Sequence, residues 1–102
     1  MDKHDNMLLN AAWAGDLKTV VFLLFEHGAD PATQDLFGNA LQCAMEGGPM
    51  DEERQEICDL LFACGADPYA ENCAGESAVE TAERLSLATL YFRWMRLKAH
   101  SV

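Results

Sequence analysis

The chain has 102 residues, half of them apolar, and a formal net charge of −10, a size that supports one core and no second domain. No apolar run approaches the roughly 20 residues of a membrane span and no basic, apolar leader opens the chain, so a soluble cytoplasmic protein is expected. An anionic body repels phosphate backbones and anionic lipid, which speaks against nucleic acid and membrane and favours a basic protein partner, although acidity also serves plain solubility.

Taken in order, the predicted elements pair off. A short helix rich in small residues spans 8–14, with Ala11 and Ala12. A bulkier one follows in Val20-Val21-Phe22-Leu23-Leu24-Phe25-Glu26-His27 and closes at Gly28-Ala29-Asp30-Pro31. Asp35-Leu36-Phe37-Gly38 has turn chemistry, an acceptor side chain and then a residue free to take positive φ. A second small helix over 41–46 carries Ala44. The stretch Gly47-Gly48-Pro49-Met50-Asp51-Glu52-Glu53 lengthens the next connection, with Asp51 as N-cap and the two glutamates at the positive helix end. Ile57 to Cys64 is the second bulky helix, closed by Gly65-Ala66-Asp67-Pro68. Asn72-Cys73-Ala74-Gly75 is the next turn, and a third small helix spans 78–84 with Ala82.

Two markers share one period. Gly28-Ala29-Asp30-Pro31 recurs as Gly65-Ala66-Asp67-Pro68, a shift of 37, and Gly38 recurs as Gly75 at the same shift. A period of 20–50 residues means stacked units. A glycine behind a helix supplies the left-handed C-cap, and Asp-Pro prevents the helix from continuing. Alanines on each first helix let it approach the second, which brings Leu, Phe and Ile.

On these residues the chain resembles the ankyrin repeat family, whose unit is a β-turn and two antiparallel helices opened by T-P-L-H-x-A. The resemblance implies an all-α helix–turn–helix solenoid with short β-turn tips, a stack of three helix pairs in one domain over 1–102, with repeats at about 6–34, 35–71 and 72–99. The opening tetrapeptide is never intact. It reads Asn6-Met7-Leu8-Leu9, Asn39-Ala40-Leu41-Gln42 and Ser77-Ala78-Val79-Glu80. The first repeat lacks a leading turn and the third lacks a closing Gly-Ala-Asp, as terminal capping repeats do.

The resemblance further implies binding on a concave face built from turn tips and first helices. Those positions are Gln34, Leu36, Phe37 and Asn39 in one tip, then Glu71, Cys73, Ala74 and Glu76 in the next. The first helices add Trp13 and Ala14, then Glu46 and Gly47, then Arg84 and Leu85. Trp13, Leu36 and Phe37 form the apolar part of the expected partner site, since aromatics are enriched among interface hot spots, and Glu46, Glu71 and Glu76 form an acidic rim. The alternative is that Trp13 and Phe37 fold down onto neighbouring repeats.

The last nineteen residues reverse the charge. Residues 1–83 hold all seventeen acids against Lys3, Lys18 and Arg54, a net of −14, whereas 84–102 hold Arg84, Arg93, Arg96, Lys98 and no acid. Leu87, Leu90, Tyr91, Trp94 and Leu97 follow helical spacing. A capping helix is the favoured reading, and a basic amphipathic helix that binds a membrane or partner is the other.

Chemistry is not expected. No G-x-S-x-G, P-loop, H-E-x-x-H or dinucleotide glycine pattern occurs, and Asp51, Glu52 and Glu53 are neighbours that point apart on a helix. His27 suits a helix C-terminus, and His4 and His100 fall at ends expected to fray. Cys43, Cys58, Cys64 and Cys73 have no C-x-x-C spacing, so free thiols acting as small apolar residues are expected, with no metal and no cofactor. The sequence therefore points to a non-catalytic protein–protein interaction module, an adaptor or regulatory subunit; it leaves the oligomeric state open, with a monomer favoured. A stoichiometric inhibitor or immunity protein that blocks a basic enzyme such as a toxin is the runner-up, and a metal-binding or enzymatic protein the third class.

Overall fold

A computed structural model of the chain describes residues 3–36, 38–87 and 94. Among them five helices and one two-stranded hairpin occur in the order α1 (Lys3–Ala14), α2 (Leu17–Glu26), β1 (Gln34–Asp35), β2 (Gly38–Asn39), α3 (Ala40–Glu46), α4 (Glu52–Ala63) and α5 (Ala78–Arg84). The described residues are thus mostly helical, as an all-α fold requires. No helix among them is long and apolar enough to cross a membrane.

α1 starts five residues earlier than its apolar spacing suggests. Its first turn is tied to the loop behind α2: Asp5 Oδ1 accepts the Asp30 N–H at 2.8 Å, and the His4 ring stacks on His27 with centroids 4.2 Å apart. His4 is therefore inside a helix rather than at a frayed end, and His100 lies outside the described residues. Only Gly15 and Asp16 separate α1 from α2. Asp16 caps α2, its carboxylate accepting from the Thr19 backbone N–H at 3.2 Å and from the Thr19 hydroxyl at 2.6 Å.

The repeated Gly-Ala-Asp-Pro has a local cause at each residue. Gly28 and Gly65 hold φ of +64° and +106°, conformations an L side chain rarely adopts. Behind α4 the chain wraps back in the paired closure of a Schellman motif, Gly65 N–H to Phe62 O at 3.1 Å and Ala66 N–H to Leu61 O at 2.9 Å. Behind α2 the wrap is one residue looser, with Ala29 N–H reaching Leu23 O at 3.0 Å. The aspartates then form turns of their own. Asp30 Oδ1 accepts from Ala32 N–H at 2.9 Å, and Asp67 Oδ1 from Tyr69 N–H at 2.8 Å, with Pro31 and Pro68 supplying the fixed φ between.

The degenerate opening tetrapeptides also have a physical reading. Asn39 and Gln42 form a reciprocal capping box at the start of α3, and Ser77 and Glu80 form one at the start of α5. Each side chain satisfies a helix N–H that would otherwise have no partner. Asp51 caps α4 by accepting the Arg54 N–H at 2.8 Å, with Glu52 and Glu53 in the first turn, as the sequence indicated.

α1 packs on α2 and α3, α3 on α4 and α5, and α2 on α4, so α1, α3 and α5 form one row and α2 and α4 a second. α3 is the centre: all of its residues but Glu46 are buried. Leu8, Leu9, Val20, Leu23, Leu41, Ile57 and Leu61 fill the space between the rows, while Ala12, Ala40, Ala44, Ala78 and Ala82 permit the close approach. Trp94, also buried, stacks on Phe62 of α4 with centroids 6.1 Å apart. The rest of the expected C-terminal helix, from residue 88, lies outside the described residues. Cys43 and Cys58 are free thiols in this core. Cys64 and Cys73 are free and exposed, so only two of the four act as core residues.

Candidate functional site

The row of first helices ends on one side of the molecule. Trp13 is the penultimate residue of α1, Glu46 the last of α3 and Arg84 the last of α5. Together with Leu36 at the hairpin tip, and Asn72, Ala74 and Glu76 from the next turn, they line a groove of about 380 Å³ floored by Gln42 and Cys43. A smaller recess of about 250 Å³ shares the Trp13 wall and adds Asn10 and Asp35.

The tip owes its shape to the hairpin register. Gln34 pairs with Asn39 and Asp35 with Gly38, so a two-residue loop projects Leu36, which is 75% exposed. Gly38 has φ of +127°, and a Cβ there would fall 1.9 Å from the Gln42 side-chain oxygen. The next tip is built on Asn72, whose Oδ1 accepts the N–H groups of Ala74 and Glu76 at 2.9 and 3.0 Å.

Trp13 is 47% exposed and lines the groove. Its position is fixed from behind. Arg54 of α4 is buried and donates Nη2 to the Trp13 carbonyl and Nη1 to the Ala44 carbonyl, both at 3.0 Å. One guanidinium therefore closes the C-terminal ends of α1 and α3, where backbone carbonyls have no helical partner. Gly47 and Gly48 make room for it. A Cβ on Gly47 would lie 1.9 Å from the Trp13 carbonyl oxygen, which explains the paired glycines in the inserted connection.

The acidic rim differs from expectation. Glu46 and Glu76 both pair with Arg84 and are not free charges. Hydrogen bonds from Arg84 and then Thr81 hold the Glu76 carboxyl below the usual carboxylate range, and the two carboxylates raise Arg84 further. Gln42, buried beneath, donates to the Glu76 carbonyl at 2.8 Å and to the Thr81 hydroxyl at 3.3 Å. Burial first, then Asp35 and Glu46, push the Cys43 thiol up to about 12, so it is a neutral wall and no nucleophile.

The residues read from the sequence therefore divide. Trp13, Leu36, Glu46 and Glu76 come together in the groove. Gln34 and Glu71 are exposed, but neither lines it. Asn39 is a correction: it is 1% exposed, caps α3 and donates Nδ2 to the Asp67 carbonyl at 3.0 Å, so its side chain ties the start of α3 to the turn behind α4 and is not presented to a partner. Phe37 lies outside the described residues. The sequence reading did not foresee Arg54 and Gln42 as supports of the site, whereas Asn72 builds its turn by bonding nearby backbone, as the sequence indicated. For Arg54 the available signal was a lone base directly after Asp51-Glu52-Glu53, six positions past Gly48. The described residues hold no cluster of His, Cys, Asp or Glu able to bind a metal.

No family model matches the chain. It is 38% identical over 85 residues to a protein of Saccharomyces uvarum described as probable palmitoyltransferase AKR2. The similarity takes in 82% of this chain and only 11% of that protein, so the chain spans about a tenth of the relative's length. That relative contains ankyrin repeats, and the likeness is compatible with an ankyrin-repeat region here. Covering so small a part, it does not bear on whether this chain is an enzyme.

Proposed function

We propose that this chain is a non-catalytic, ankyrin-type interaction module that binds a partner protein in the groove along α1, α3 and α5, as an adaptor or regulatory subunit. The observation that carries this reading is the half-exposed Trp13 and the exposed Leu36, two large apolar side chains that line one open groove. Such residues serve as interface anchors at low entropic cost. A basic protein is the partner class, with no nucleic acid, membrane or cofactor, and a cytoplasmic monomer is the working form. The net charge of −10 favours one further reading, a stoichiometric inhibitor or immunity protein that blocks a basic enzyme.

The test is capture of a partner from native lysate by wild type and by a Trp13→Ala/Leu36→Ala variant, followed by calorimetry with the purified partner. A partner held by wild type and lost by the variant supports the groove. Equal affinity for both overturns it. One-to-one loss of that partner's activity on binding selects the inhibitor over the adaptor.

A further inference from the structure

The groove already holds a cation. Arg84 closes α5, and its guanidinium meets carboxylates from two places, Glu76 just ahead of α5 and Glu46 at the end of α3. The grip on Glu76 is two-pronged: Nε donates to Oε2 and Nη2 to Oε1, both at 3.0 Å. Glu76 is itself aimed from below, because the hydroxyl of Thr81, a wholly buried residue, donates to its Oε1 at 2.7 Å. Yet the Arg84 side chain is 48% exposed, and Trp13 lines the same groove.

Three features suit this place to an arginine from outside. Two preoriented carboxylates around one planar guanidinium match the way proteins recognise arginine. A half-exposed indole in the same groove can stack a guanidinium. The field draws cations in, since residues 1–83 carry seventeen acids against three bases, while Arg84 is the one base among the described lining residues. As a staple between repeats, an ion pair this open to water contributes little.

We propose, resting on the groove reading above, that Arg84 is a displaceable stand-in for an arginine of the partner. The partner presents a basic segment whose guanidinium takes the Glu46–Glu76 fork near Trp13 as Arg84 leaves it.

The experiment uses the full chain and a short peptide of alternating arginine and alanine at low salt. Calorimetry is expected to show Arg84→Gln binding this peptide about threefold to tenfold more tightly than wild type, because a competitor has been removed. Adding Glu76→Gln to that variant should abolish the gain. In wild type, which needs no altered chain to fold, titration should move the side-chain N–H resonances of both Arg84 and Trp13. Unchanged or weaker binding by Arg84→Gln overturns the proposal. So does an Arg84 resonance that stays fixed while Trp13 moves, an outcome that leaves the groove reading intact. If neither resonance moves and the captured partner ignores Trp13→Ala, both readings fall.

Discussion

The Arg54 guanidinium, carried on α4, donates to the backbone carbonyl of Trp13 on α1 at 3.0 Å across 41 positions of sequence. It reaches the Ala44 carbonyl at the same distance, so one side chain from the second row ties together two helices of the first. Hydrogen bonds from a charged donor to buried carbonyls are among the stronger ones, and removing the donor leaves both acceptors without that partner. Arg54→Met should therefore destabilise the fold by about 2–4 kcal/mol, measured as a lowered urea midpoint. Arg54→Lys, with one compact ammonium in place of the fork, should recover only part of that. Trp13 emission should move in both variants, because its anchor has changed.

Gly47, beside that guanidinium, and Gly28, behind α2, separate steric from conformational demand. Gly47 does not take positive φ, yet a Cβ there would meet the Trp13 carbonyl oxygen at 1.9 Å, and backbone yields poorly. Gly28 is the reverse, with φ of +64° and open space around a Cβ. Gly28→Ala should cost about 1 kcal/mol, the penalty of a left-handed alanine. Gly47→Ala should cost about 2–3 kcal/mol, the upper part of the overpacking range, and also weaken groove binding, since it displaces Trp13. Urea unfolding of the two variants beside wild type decides the ordering. A Gly28→Ala variant as damaged as Gly47→Ala would refute the close approach at Gly47.

Glu76 gives the fold one acid-sensitive contact. Arg84 and then Thr81 depress its carboxyl in the native state below its unfolded value of about 4.3. Stabilisation from a depressed carboxyl is complete above the unfolded pKa and is lost as pH falls through the folded one. Wild type should thus lose more stability between about pH 6 and pH 3 than Glu76→Gln, which has no proton to take up there. The pair is partly open to water, so salt should narrow the gap. Urea midpoints for both proteins across that range, with and without salt, would show it. Parallel acid limbs would mean that the pair does not contribute.

What the sequence discloses here is local, and what it conceals is not. Gly28 and Gly65 stand out because positive φ at a helix end favours one residue type, and Asp51 stands out because a cap and its helix are adjacent in sequence. Trp13 and Leu36 were legible as apolar residues at positions that a helix end and a turn expose. The early start of α1 was hidden because its causes, the Asp5–Asp30 bond and the His4–His27 stack, join residues more than twenty positions apart. Asn39 misled for the same reason. It lies next to the tip in sequence, but its amide reaches Asp67, 28 positions on in the turn behind α4, and the residue is buried there. The charge at Glu46 and Glu76 looked free because Arg84, 38 and 8 positions away, carries no local mark of pairing.

The four cysteines give a chemical check on the packing of α3 against α4. Cys43 on α3 and Cys58 on α4 are buried at 4% and 0% exposure, whereas Cys64, just past α4, and Cys73, at the second tip, are open to solvent. Reaction with a disulfide reagent requires a thiolate and access to it. Burial denies access to the first two and also pushes their thiols up to about 12, so neither ionises near neutral pH. Native protein with Ellman's reagent at about pH 8 should therefore release two equivalents of chromophore quickly and the other two only as the fold opens. Denaturant should bring all four to one rate. Gly47→Ala should speed the slow pair, because a destabilised fold exposes Cys43 and Cys58 more often. Four equal rates in the native protein would contradict the burial of α3 on α4.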